Sequence, residues 1–218
     1  MNVIFYILLL LTFVVCKADN ILFIGNSLTT VNCFPCKFKR FAKKRYKIKN
    51  YTSTKRSVNL LYHAHSSRTK KQARRRNYKA IILQEQSQLL SDYRYHESGV
   101  AYFANNFRHV YLLQNWSQRT GYYANLQFSL LRNSESIAKR YKIKHIPVGY
   151  YWLYVYIFVP DLWMQLYKDD RHPSAMGSYL TGCIVYKTVY NVTNVPDIFK
   201  PRSISDKNRK TLLNVCNK

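Results

Sequence analysis

The order of apolar runs and helix-length stretches predicts an α/β domain with a doubly wound, mostly parallel five-stranded sheet. Three observations carry this. Apolar runs short enough for strands buried on both faces recur at residues 21–24 (ILFI), 79–83 (KAIIL), 110–113 (VYLL) and 143–148 (IKHIPV). Polar, amphipathic stretches of helical length lie between them. The first run ends in Gly25-Asn26-Ser27, which places a polar loop at the carboxyl end of a strand, where open α/β sheets bind their ligands.

Taken along the chain, residues 3–15 (VIFYILLLLTFVV) are thirteen apolar residues. That is short for a bilayer span and fitting for the core of a signal peptide. Residues 1–18 are therefore expected to be a signal peptide cleaved after Ala18, with an uncleaved anchor as the alternative, and residues 19–218 a single secreted domain. The strand at 21–24 comes first. Residues 37–49 are expected as a helix after its loop with charge on the solvent face, and 47–53 as a weaker fifth strand. Helices are expected at 93–107 and 122–141. The last helix is expected at 174–190, where Met176, Tyr179, Leu180, Cys183, Ile184 and Val189 recur near helical spacing. No internal repeat or linker interrupts the domain.

Composition narrows the classes. With 47% hydrophobic residues the chain can bury a sizeable core, which excludes global disorder. Lys plus Arg number 35 against 10 Asp plus Glu, a formal net charge of +25, so an anionic partner or surface is expected. No acid lies between Asp19 and Glu85, and that stretch holds two basic runs, 37–49 and 68–79. Because the Gly25-Asn26-Ser27 loop falls in the same stretch, the runs are expected to surround it with positive potential and steer anionic substrates to any site there. Secretion argues against nucleic acid. Removal of Cys16 with the signal leaves Cys33, Cys36, Cys183 and Cys216, an even number that fits two disulfides in an oxidising compartment. Cys33-x-x-Cys36 has no second CxxC to complete a metal site, and Pro35 lies within it, so no metal is expected. Sequons at Asn50, Asn115 and Asn191 are about as many as chance gives and add little.

The chemistry rests on two segments. Ser27 follows a buried strand directly, as a nucleophile on a strand-to-helix turn would, or as a plain helix N-cap would. Asp169-Asp170-Arg171-His172-Pro173-Ser174 sets a carboxylate three residues before a histidine, and Pro173 leads into the final helix. Asp169 holding His172 in the right tautomer makes the imidazole a base for the Ser27 proton.

Together, ILFIGNSLT and DDRHPSAMGSYLTG resemble the first and last blocks of the SGNH (GDSL-like) hydrolases, in the branch with a GNS nucleophile block and a D-x-x-H-P-S last block. LQEQS at 83–87, QNW at 114–116 and IPVG at 146–149 stand in the order that branch has, so the resemblance spans residues 20–190. It implies a flavodoxin-like three-layer α/β/α sandwich. It also implies ester hydrolysis through an acyl-enzyme without metal or cofactor, with Ser27 as nucleophile, His172 as base and Asp169 as the orienting acid. For the oxyanion hole it implies the Ser27 amide, the amide of Ser57 where the family has Gly, and the side chain of Gln86 where it has Asn, with Gln84 and Gln88 flanking. His63 and Trp116 are expected to pack beneath the site. The substrate class implied is an acyl ester, O-acetyl above all, on a carbohydrate, with lipid or small-ester hydrolysis and acyl transfer to a sugar hydroxyl left open because the same triad serves all three. The competing reading is a secreted binding protein for anionic glycans that uses the basic runs without turnover.

Overall fold

The computed structural model describes residues 18–86, 93–119 and 123–218. The expected signal core therefore lies outside the described residues, as does Gln88. The described strands are β1 (Asp19–Gly25), β2 (Ile48–Thr54), β3 (Ala80–Gln84), β4 (Val110–Leu113) and β5 (Lys144–Ile146), all parallel, in the order β2-β1-β3-β4-β5. This is the flavodoxin-like order, which reverses between β1 and β3.

Strand periodicity builds the two faces. Phe23 and Ile82 point into one core cluster and Ile24 and Leu83 into the other, so a strand reads as a continuous apolar run because both its faces are covered. On the first face lie α2 (Phe34–Ala42), α7 (Val148–Phe158), α9 (Ala175–Tyr190) and α10 (Asp206–Cys216). On the second lie α3 (Leu60–His65), α4 (Ser67–Arg74) and α5 (Tyr93–Asn106). α6 (Tyr123–Arg140) places Leu131 in the first cluster and Ile137 in the second. Two short helices complete the set, α1 (Ser27–Thr30) and α8 (Pro160–Trp163).

α2 shows why such helices form where they do. Phe34, Phe38 and Phe41 make a stripe of helical spacing that is wholly buried, while Lys39 and Arg40 stay exposed. The stripe meets Phe23 of β1 and Tyr179 and Tyr186 of α9. Removing one such ring costs about 3–5 kcal/mol.

Three expectations are corrected. The helix expected at 37–49 starts at Phe34 and ends at Ala42, because residues 43–47 must turn to lay β2 beside β1, where the Asp19 N–H donates to Lys47 O at 2.8 Å. The helix at 174–190 is not the last. α10 follows it, burying Leu212, Leu213 and Val215, with its Arg209 guanidinium held by Asp197 and Asp206. The strand expected at 143–148 shortens to three residues, since Pro147 has no N–H for a ladder, and the segment after it forms α7.

The cysteines pair as Cys33–Cys36, at the start of α2, and Cys183–Cys216, joining α9 to α10. Asn115 is buried with its side-chain N–H donating to Glu85 O at 2.6 Å, so its sequon is closed to glycosylation in the folded chain, whereas Asn191 is exposed. Among the described residues no helix is long and apolar enough to cross a membrane.

The steering expectation also changes. Residues 43–47 precede β2 and residues 75–79 precede β3, so these charges lie at the amino ends of the strands, while Ser27 lies at the carboxyl ends. Seven residues of β1 separate the two edges, about 20 Å at strand rise and well beyond the screening length of about 8 Å.

Candidate active site

Ser27 leaves β1 at the crevice where the strand order reverses, and it begins α1. The turn is set by its neighbours. Asn26 caps the short helix, its Oδ1 accepting from the Leu28 N–H at 3.0 Å, and its Nδ2 donates to Val58 O at 3.0 Å. Gln84, at the end of β3 and 1% exposed, accepts at Oε1 from the Asn26 N–H (3.2 Å) and from the Thr29 hydroxyl (2.8 Å). Gly25 is required here, since a Cβ would stand 2.6 Å from that same Gln84 Oε1.

Beneath the turn, His63 approaches the Gly25 carbonyl with Nε2 at 2.9 Å and the Thr69 hydroxyl with Nδ1 at 3.0 Å. A carbonyl only accepts, so Nε2 carries the proton, Thr69 donates to Nδ1, and the Ser53 hydroxyl, 2.8 Å away, donates to Thr69. Burial lowers the His63 pKa and keeps the ring neutral, as this chain of donors requires.

His172 comes from the loop before α9. Its Nε2 stands 2.9 Å from Ser27 Oγ, and its Nδ1 stands 2.9 Å from Asp169 Oδ2 and 3.1 Å from Oδ1. The loop curls around the carboxylate, whose Oδ1 also accepts the backbone N–H groups of Arg171 (2.9 Å) and His172 (2.8 Å). Burial acts to raise the Asp169 pKa, but those two N–H groups and the imidazole outweigh it and hold the carboxyl at about 2. The side chains of His172 and Asp169 are 29% and 51% exposed, so the relay opens to solvent.

A clasp from the segment after β4 fixes this loop. The Trp116 indole N–H donates to Arg171 O (2.9 Å), the Arg119 N–H to Asp170 O (2.8 Å), and the Tyr167 hydroxyl to Ser117 O (2.8 Å). Trp116 is stacked on Trp152 at 4.3 Å. From the nucleophile side, Asn32 Nδ2 donates to Pro173 O at 2.7 Å. Ser174 caps α9 by accepting from the Met176 and Gly177 N–H groups.

The sequence-derived residues thus fall on three neighbouring strand ends. Ser27 follows β1, Ser57 follows β2 and Gln86 follows β3, and β2 and β3 flank β1. Ser57 is exposed with φ at 55°, the left-handed conformation that favours glycine, which accounts for the Gly of the resembling block. Gln86 is half-buried and its backbone N–H donates to Glu85 Oε1 at 2.6 Å. Sequence reasoning passed over Glu85, which is 1% exposed and accepts at the same Oε1 from the Leu60 N–H at the start of α3 (3.0 Å). Burial pushes its pKa up to about 7 against the opposing pull of those two N–H groups. It also passed over Gln84 as the anchor of the turn that carries Ser27. Its position beside the switch-point loop was the only signal that pointed to it.

Sheet order, layers and the placement of Ser27 at the switch point give this chain the α/β fold of the SGNH hydrolases. Solved structures carry that assignment. A DUF4886 family protein from Bacteroides uniformis superposes with a TM-score of 0.75 at 14% identity, over 92% of this chain and 94% of that one. AlinE4, an SGNH-hydrolase family esterase, gives a TM-score of 0.53 at 15% identity, over 74% and 89%. A two-domain esterase active on acetylated mannans gives 0.56 at 15% identity, over 85% of this chain and 54% of that one. No protein-family model matches the sequence, and no curated protein matches it either.

Proposed function

We propose that this protein is a secreted serine esterase that hydrolyses O-acyl esters, O-acetyl esters in particular, on carbohydrates. The observation that carries the reading is the unbroken relay Ser27 Oγ, His172 Nε2, His172 Nδ1, Asp169, with separations of 2.9 Å at each link. An ionised Asp169 accepts a hydrogen bond from the Nδ1–H, which keeps the proton on Nδ1 and leaves the Nε2 lone pair facing the serine hydroxyl. Ser27 Oγ attacks the ester carbonyl carbon as its proton passes to Nε2. The tetrahedral oxyanion is held by the Ser27 and Ser57 N–H groups and the Gln86 amide, and its collapse expels the sugar oxygen, which takes the Nε2 proton. Water then attacks the acyl-enzyme, giving its proton to Nε2, and the carboxylic acid leaves as that proton returns to Ser27. No metal or cofactor enters this cycle.

An open relay suits an acyl group presented on a bulky carrier, and a structural neighbour at 15% identity acts on acetylated mannans. The test is acetate release from acetylated mannan and from p-nitrophenyl acetate, with fluorophosphonate labelling of Ser27. Ser27→Ala should abolish labelling and lower kcat by up to roughly 10⁶ with an unchanged circular dichroism spectrum. Equal turnover by wild type and Ser27→Ala would refute the triad, and turnover of the simple ester alone would refute the carbohydrate assignment.

A further inference from the structure

The parallel sheet brings several basic segments together on the edge opposite Ser27. The segments entering four strands, residues 43–47, 75–79, 107–109 and 141–143, each carry Lys or Arg and contain no Asp or Glu. Linear sequence spreads these charges over a hundred residues, and the common strand direction brings them together.

Three shallow grooves adjoin one another here, the first descending along α4 onto this edge. The first lies between Lys70, Lys71, Arg74 and Arg75 on and after α4. The second shares Arg74 and continues past Arg76, Asn77 and Arg108. The third shares Asn77 and His109 and continues past Asn20 and Lys79 to Asp19. Beyond it the Asp19 N–H meets Lys47 O, and the segment before Lys47 carries the exposed Lys43, Lys44 and Arg45. The cations are held in place. Arg76 lies over the Tyr51 ring at 4.3 Å, and Arg74 donates to the Tyr102 hydroxyl at 3.4 Å. Asp19, the carboxylate of the third groove, is engaged by the Tyr190 hydroxyl at 3.0 Å and stands 3.9 Å from Lys79.

We propose that this edge binds a linear polyanion of the sulfated or uronic glycan class, along the grooves and remote from the hydrolytic site. The inference is independent of the esterase reading. A row of adjoining basic grooves suits an extended chain carrying regularly spaced anions, where Arg forks pair with sulfate or carboxylate oxygens. None of the exposed large apolar side chains among the described residues lines the grooves, as a membrane-inserting face would require. Two disulfides match an oxidising compartment, where extended polyanions are polysaccharides rather than nucleic acids.

The experiment titrates a size-defined heparin oligosaccharide against the full chain near physiological salt and across a salt series. Replacing Arg75, Arg76, Lys79 and Arg108 with Gln should weaken binding by roughly tenfold or more and flatten its salt dependence. Arg108→Gln alone should give a smaller loss in the same direction, which preserves the test should the quadruple variant fold poorly. Lys207→Gln with Lys210→Gln, on exposed positions of α10, should change affinity by less than about twofold. Equal losses in both sets would mean that net charge alone binds the glycan, and would overturn the site. Absent heparin binding alongside binding to phosphatidylserine vesicles or to single-stranded DNA would overturn the glycan assignment.

Discussion

The two halves of the proposed Ser27–His172–Asp169 relay are positioned by opposite means. On the nucleophile side every anchor is a buried side chain: Gln84 on the Asn26 N–H, His63 on the Gly25 carbonyl, and Glu85 on the α3 N-terminus, each at most 2% exposed. On the acid–base side the working groups are partly open to solvent, and the loop is clasped mainly through its own backbone carbonyls, at Asp170, Arg171 and Pro173. Buried polar anchors are costly to leave unpaired, whereas a backbone clasp of several bonds tolerates losing one. Ser27 is therefore held by a network that fails steeply, and His172 by one that fails gradually.

The largest expected effect lies on the acid–base side, inside the relay itself. Asp169→Asn should lower kcat by up to roughly 10⁴ by favouring the wrong tautomer, while Asp170→Asn, whose backbone carbonyl makes the clasp, should be mild. Paired kinetics with the reverse order of severity would reassign the acid. Because the Asp169 carboxyl is held at about 2, loss of wild-type activity on mild acidification should not track its protonation.

Next comes Glu85. Its folded-state pKa of about 7 lies above the ordinary 4.5, so the folded chain keeps a proton that the unfolded chain releases. Stability is then greatest below about pH 4.5 and falls as the pH rises towards 7, by on the order of 3 kcal/mol. Glu85→Gln, which keeps an acceptor for the Leu60 and Gln86 N–H groups, should melt higher than wild type at pH 8 and alike at pH 4. Coincident melting curves at both pH values would show that the carboxylate is compensated.

A smaller effect is expected at His63. His63→Phe strands the Gly25 carbonyl and the Thr69 hydroxyl, and should cost about 1–3 kcal/mol in stability, with kcat falling more than KM changes. Trp116→Phe is the mildest. It retains a ring to stack on Trp152 and deletes one bond to Arg171, so about 1 kcal/mol and a few-fold loss in kcat/KM are expected. Should Trp116→Phe prove more damaging than His63→Phe in urea unfolding and steady-state kinetics, the contrast between the two halves would be reversed.

What was legible in the sequence was what local pattern encodes. Four apolar runs and one weaker segment marked the strands, and Ser27, Asp169 and His172 stand in two short segments whose loop chemistry is self-contained. What was illegible depends on distance along the chain. Gln84 meets Asn26 across 58 positions and His63 meets Gly25 across 38, and no spacing rule joins such pairs. α7 was missed because VGYYWLYVYIF is apolar all round and has no helical period to read, and α10 because its apolar residues crowd its last half. The basic runs were misplaced for a topological reason. Residues adjacent to the nucleophile in sequence cross the whole sheet before they turn, which moves their charge to the far edge.

The stack of Trp116 on Trp152 has an optical consequence. The chain holds three tryptophans, and the remaining one, Trp163, meets the Tyr167 ring at 5.7 Å, as Trp152 does at 4.9 Å. All the indole emission thus originates around the loop that presents His172, while far-ultraviolet dichroism reports the sheet and helices. Two indoles face to face at 4.3 Å also form a coupled chromophore, with a near-ultraviolet band that depends on their mutual orientation. The molecule carries its own spectroscopic gauge of one segment, so loosening of the base and melting of the scaffold can be timed separately in a single unlabelled sample.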